Sequence, residues 1–311
     1  MPQAPKPPAI ASRLARLKLF LFCLLAPLMG ADSLVVAPDS PAKPKEVPAP
    51  SNGNWLHSLL PNPFDPNPDM EMTVITEMTD EGRKLSAVSP KHPVYYTAES
   101  SGDHEMGGIV AREQTLPPED VGPLLIRSLA VNGYKPAKLP EHPPSLLIIY
   151  LWGTHNHFDE TDGAAGSFDQ VRRNVLDRAL LVGGKKFSDE LAEVIQESQD
   201  WKSWPPPVAL FKLRKANNER LLNQALGDVF YVVASAFEYQ SVAKGKPLLL
   251  WRTRMTVSSQ GVWMKKAVPA VVINASQYFG REMTDSVIMH GSATHEGKVE
   301  IGAPTVVGDG K

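Results

Sequence analysis

Apolar positions along this chain change spacing several times, and each change predicts an element. Pro93-Val-Tyr-Tyr-Thr-Ala98 is rich in strand formers and runs into a polar, glycine-containing stretch ending at Gly108. Pro117-Pro118-Glu119-Asp120 then supplies a proline-and-acid helix start. Val121, Leu124, Leu125, Ile126 and Leu129 recur at helical spacing until Asn132-Gly133 stops the run. Ser145-Leu-Leu-Ile-Ile-Tyr-Leu-Trp152 is unbroken and strand-length, the mark of a strand covered on both faces. Ser167 and Gln170 have capping-box spacing and open a helix carrying Phe168, Val171, Val175, Leu176 and Ala179 to a stop at Gly183-Gly184.

Ser188 caps a short helix holding Leu191, Val194 and Ile195, and another helix spans about 218–226. The runs 228–238 and 248–257, joined by Lys244-Gly-Lys-Pro247, predict an antiparallel hairpin. In the second run Trp251, Thr253, Met255 and Val257 alternate with Arg252, Arg254 and Thr256, which predicts a wet face on the arginine side. A last helix covers about Met264 to Phe279, with Pro269 in its first turn or marking its true start and Gly280 at its end. The order β-α-β, helical insert, β-β-α predicts a two-layer α+β domain, a sheet of about four strands with helices over one face. Its expected bounds are 92–280, with the insert at 167–227 and a flexible tail at 281–311.

The residues before this domain have a different character. Basic Arg13, Arg16 and Lys18 precede the apolar run Leu19 to Met29 and the small pair Gly30-Ala31, the layout of a signal peptide over 1–31. The run is about 12 residues, against about 20 needed to span a membrane, so no stable transmembrane span is expected. Cys23, the chain's single cysteine, lies inside that run after Phe22, which disfavours lipidation. Cleavage would leave a chain without thiols, excluding disulfides and cysteine-ligated metals. Residues 32–91 are read as a proline-rich disordered linker, from Ala37-Pro38 through Asn67-Pro68. With 32 Lys+Arg against 34 Asp+Glu among 311 residues, no basic excess favours nucleic acid.

Pro93-Val-Tyr-Tyr96, Gly133-Tyr134, Pro143 to Gly153 and Leu250-Trp251-Arg252 together resemble uncharacterised exported proteins of Gram-negative bacteria. The resemblance covers roughly Pro93 to Gly280 and implies an exported α+β domain without implying a reaction.

The sharpest chemical pattern is Gly153-Thr-His-Asn-His-Phe-Asp-Glu160, at the end of the buried strand. His155, His157 and Asp159 have the types and spacing to meet on one zinc ion if the chain turns there. The run is similar to the histidine motif of metallo-β-lactamases, which implies zinc at His155 and His157 and a second metal or an oriented water at Asp159. Glu160 stands where that family has its next histidine, and His290 and His295 come too late for its later ligand. A polar loop with solvated histidines is the competing reading. No nucleophile elbow, phosphate loop or dinucleotide fingerprint is present, and Gly183-Gly-Lys-Lys186 reads as a helix stop. In Asp159 to Gly163 a calcium loop would put Phe158 where a carboxylate is required.

Trp201, Trp204 and Pro205-Pro-Pro207 form an aromatic-proline patch suited to a peptide or sugar, or to packing a loop. Trp152, Trp251 and Trp263 are expected in the core or at a sheet edge, and Arg252 with Arg254 has the charge to meet an anion. The sequence therefore predicts an exported non-enzymatic binding or adaptor domain, in the periplasm or outside the cell. It assigns no catalytic or cofactor-binding residue, no cofactor, and an envelope protein or cell-wall component as partner. The alternative is a zinc-dependent hydrolase built on His155, His157 and Asp159.

Overall fold

The structure is a computed structural model that describes residues 69–108, 118–158, 168–197 and 216–292. Seven strands form one mixed sheet in the order β3-β2-β4-β5-β6-β1-β7. They are β1 Asp69–Met78, β2 Val94–Gly107, β3 Tyr134–Pro136, β4 Leu146–Asn156, β5 Val229–Glu238, β6 Leu249–Ser258 and β7 Val287–Ser292. The helices are α1 Asp80–Arg83, α2 Pro118–Val131, α3 Phe168–Glu197, α4 Ala216–Leu226, α5 Tyr239–Ala243 and α6 Met264–Asn274. β2, β3 and β4 run parallel, and every pairing from β4 to β7 is antiparallel.

The expected four-stranded sheet is thus corrected to seven strands within an α+β architecture. β1 lies inside the stretch read as linker and β7 inside the stretch read as tail. Proline to the N-terminal side of β1 masks a run, Met70, Met72 and Val74, that alternates with Glu71, Thr73 and Ile75. Asp69, Glu71 and Glu77 have weak strand preference and flank the Thr73-Val-Ile-Thr76 centre, so the pairing with β6 and β7 supplies what propensity does not at those positions. The supposed polar loop after residue 98 is the second half of β2, held beside β4 across an irregularity between Ser100 and Gly102. The signal segment 1–31 and the tryptophan-proline patch 201–207 lie outside the described residues, as do parts of the linker and tail.

The sheet has helices against both of its faces, not one. On the first face Val74, Ile148, Trp152, Val232, Met255 and Val257 pack with Val121, Leu125 and Leu129 of α2 and Val268, Val271 and Val272 of α6. On the second, α3 and α4 bring Val175, Ala179, Leu191, Leu222 and Ala225 onto Val229. α3 lies over β1 and β6. Arg254 is therefore 6% exposed and Thr256 0%, so the arginine side of β6 is covered there rather than wet. Further along the same face Leu147, Ile149 and Phe237 form a small cluster with Tyr239 and Val242 of α5.

The expected break at Gly183-Gly184 is present: two helical pieces meet inside α3 at Gly184, whose φ of 72° and ψ of -173° are non-helical, and the second piece carries Leu191, Val194 and Ile195 on to Glu197. Pro269 sits well inside α6 rather than in its first turn, and a short 3-10 turn, Ser276–Tyr278, carries the chain on to Gly280.

Candidate functional site

The histidine motif occupies the end of β4, where sequence and structure diverge. His155 is 2% exposed, on the face that carries Leu151 and Gly153. Burial and the nearby Arg178 cation pull its pKa down to about 4, so the ring is neutral, and its Nδ1 has no hydrogen-bond partner. His157, just past the strand, is half exposed. Its Nδ1 lies 2.6 Å from Asp228 Oδ1, and its backbone N–H donates to the same oxygen at 2.7 Å. Asp159 and Glu160 lie outside the described residues, and His290 is exposed on β7, 3.3 Å from Arg220.

The group that organises this end is Arg178, which the sequence reading did not select. It is 1% exposed. Its Nε donates to the Ala225 carbonyl at 2.7 Å and its Nη1 to the Asn156 carbonyl at 2.9 Å. Nη1 also donates to Asn174 Oδ1, while Asn174 Nδ2 donates to the Asn156 carbonyl at 3.1 Å. The guanidinium thus ties the last turn of α4 and the end of β4 to α3, and it gives the Ala225 carbonyl its donor. Burial lowers its pKa to about 10, with Asp228 and Asp177 acting in the opposite direction. A fixed cation beside His155 is a poor neighbour for a metal dication. Among the described residues, no three His, Cys, Asp or Glu side chains are grouped to hold a metal ion.

A second polar arrangement lies on the same face of the sheet, in the middle of β6. Register places Glu77 of β1, Arg252 of β6 and Ser235 of β5 in one row across the strands. The row beside it holds Ile75, Arg254 and Val233. Glu77 does not pair with the arginine directly opposite. Its Oε2 accepts from Arg254 Nη1, and its Oε1 accepts the Lys185 backbone N–H at 2.7 Å. That second bond exists because α3 kinks at Gly184, where a Cβ would lie 3.0 Å from both Glu77 Oε1 and Ile75 Cγ1.

Arg252 is left with one partner: its Nε donates to Ser235 Oγ at 2.9 Å. Its Nη groups meet no acceptor among the described residues. The side chain sits deep among protein atoms yet keeps a partly exposed surface, and burial beside Arg254 pulls its pKa down to about 10. Leu151 and Val233, its neighbours on this face, are also partly exposed, between the part of the sheet covered by α3 and the part under α5. The result is a recess with an apolar floor and one uncommitted guanidinium. Arg252 and Arg254 were visible as an anion candidate in the alternation of β6. Glu77 and Ser235 were not, being 175 and 17 residues from Arg252 along the chain.

The tryptophans divide: Trp152 is 0% and Trp251 1% exposed, whereas Trp263 is 55% exposed at the start of α6, against the expectation for it. Among the described residues, no helix is long and apolar enough to cross a membrane. No known family profile matches the chain, and no curated protein matches it. Among solved structures it is similar to a PDZ domain protein from Parabacteroides distasonis, with a TM-score of 0.32 and 9% identity. That match covers 71% of this chain and 38% of the other.

Proposed function

We propose that this chain is an exported, non-enzymatic binding domain of the cell envelope whose contact site is the sheet face around Arg252. The observation that supports this is the guanidinium with its Nη edge unpaired, set in a partly open recess. Desolvating a cation without a partner is costly, and an anion that fills the recess removes that cost. Ser235 holds the Nε side of the group, which reduces the ordering required on binding. The signal-like segment and the proline-rich stretch motivate export.

The test uses acetate and inorganic phosphate as simple probes, with amide chemical shifts as the readout. Shifts at Val233, Ser235 and Arg252 that vanish in Arg252→Gln are expected. Probe binding elsewhere, or none, would sink the reading. The zinc hydrolase alternative predicts stoichiometric zinc that is lost in His155→Ala/His157→Ala, together with turnover of an ester or amide. That outcome would replace the binding proposal.

A further inference from the structure

Resting on that reading of the Arg252 recess, we infer that its ligand is a monocarboxylate carried on an apolar chain. The Arg252 Nη pair grips the carboxylate, and the chain lies over Val233 and Leu151.

Three features select this chemistry. The first is the free edge of the guanidinium. With Nε committed to Ser235, the end that remains is the fork of Nη1 and Nη2, which fits two oxygens of one carboxylate in a plane. Ser235 Oγ, having accepted from Arg252, keeps its own O–H to donate to the same anion.

The second is charge. Glu77 spends both oxygens on Arg254 and the Lys185 amide, so Arg254 is neutralised and Arg252 contributes the one unmatched charge of the row. Lys185 Nζ is itself paired, with Asp189. On the far side the nearest acid on this face is Glu99 of β2, opposite Ile149. It stands three strands from Arg252, about 14 Å between backbones at ordinary strand spacing, and no ion pair joins the two among the described residues. A single positive charge suits a monoanion. A phosphate dianion would bring surplus negative charge toward Glu77.

The third is the floor. Val233 is the diagonal neighbour of Arg252 on β5, and Leu151 is the cross-strand partner of Val233 on β4. Ile149, Leu147 and Phe237 lie beyond them, buried against α5, so the partly exposed apolar floor is Val233 and Leu151. From the guanidinium an apolar chain can therefore run across two strands without meeting a charge. Such a carboxylate could come from a free fatty acid or from a peptide ending in an apolar residue, and the chemistry at Arg252 is the same for both.

Calorimetric titration of the full chain decides the matter, with decanoate, decanol, acetate, inorganic phosphate, and a peptide ending in leucine as free acid and as amide. Either decanoate or the free-acid peptide should bind about tenfold more tightly than acetate, and decanol and the amide about tenfold more weakly than their acids. Arg252→Gln should cost about tenfold for the acids and nothing for decanol, while Arg252→Lys, which keeps the charge and loses the fork, should fall between. A tighter decanoate identifies an acyl source, a tighter peptide a chain terminus, and both support the inference. Phosphate binding above either acid overturns the carboxylate assignment and leaves the anion-binding domain standing. If no probe binds while circular dichroism shows the variants folded, both fall.

Discussion

Arg178 and His155 show at the residue scale how polar side chains in this molecule are committed to the fold. Arg178 satisfies the Ala225 and Asn156 carbonyls away from water. Arg178→Met keeps the volume and orphans the Ala225 carbonyl, while the Asn156 carbonyl keeps its bond from Asn174 Nδ2, so one buried acceptor is lost at about 1 to 3 kcal/mol. Urea unfolding should therefore show a loss of about 2 kcal/mol, with α4 exchanging its amides first. His155 gives a pH dependence. Its folded pKa of about 4 lies below the ordinary value of 6.5, so between those values the unfolded chain binds a proton that the folded chain does not. Stability is full above pH 6.5, falls as the pH drops toward 4, and levels off below it. The total is about 3 kcal/mol. His155→Gln should lack this component, and the difference between the two unfolding curves across pH 4 to 7 measures it.

At the scale of elements, the runs with strong periodicity were legible. β4, an apolar run preceded by Pro143-Pro144, and the alternating β6 lie where their patterns placed them, because burial demands apolar residues at fixed spacing; β4 then runs on past Trp152 to Asn156. β1 was not legible, since half of its pairing surface is polar: Thr73 and Thr76 meet Thr256 and Thr253 across the β1–β6 pair, with Thr76 and Thr253 hydroxyls 2.7 Å apart. Buried hydroxyl pairs, one on each face, read in one dimension as a solvated strand. The helix break at Gly183-Gly184 was legible too, because a glycine at positive φ interrupts the helical ladder whatever follows it. Its function is positional: Gly184 brings the Lys185 amide onto Glu77. Gly184→Ala places a side chain at φ 72° and presses it on Glu77 and Ile75. We expect a loss of about 1 to 2 kcal/mol in thermal or urea unfolding. Since Glu77 then shifts from Arg254, anion affinity at Arg252 should change in the same variant.

At the scale of the whole molecule, β1 is the strand that makes one sheet. It lies between β6 and β7, with Met72 and Val74 0% exposed. A chain beginning at His92, the boundary the sequence predicts, would strip the inner edge from β6 and leave β7 without its pairing partner. It should fail to give a dispersed amide spectrum, whereas a chain beginning near residue 60 should unfold in one cooperative step. Of the candidate site, the types were legible and the partnerships were not. The arginines of β6 and the histidines at the end of β4 stood out as residues. Which of them is spent on structure depends on Ser235, Glu77, Arg178 and Asp228, contributed by separate strands and helices. What the sequence by itself determined is the α+β class and the elements whose apolar spacing is periodic, because that spacing is a local property of the chain. The number of strands, the covering of both faces and the half-paired state of the Arg252 guanidinium were decided by tertiary structure. Each depends on pairing between segments far apart in the chain, and no local pattern carries that information.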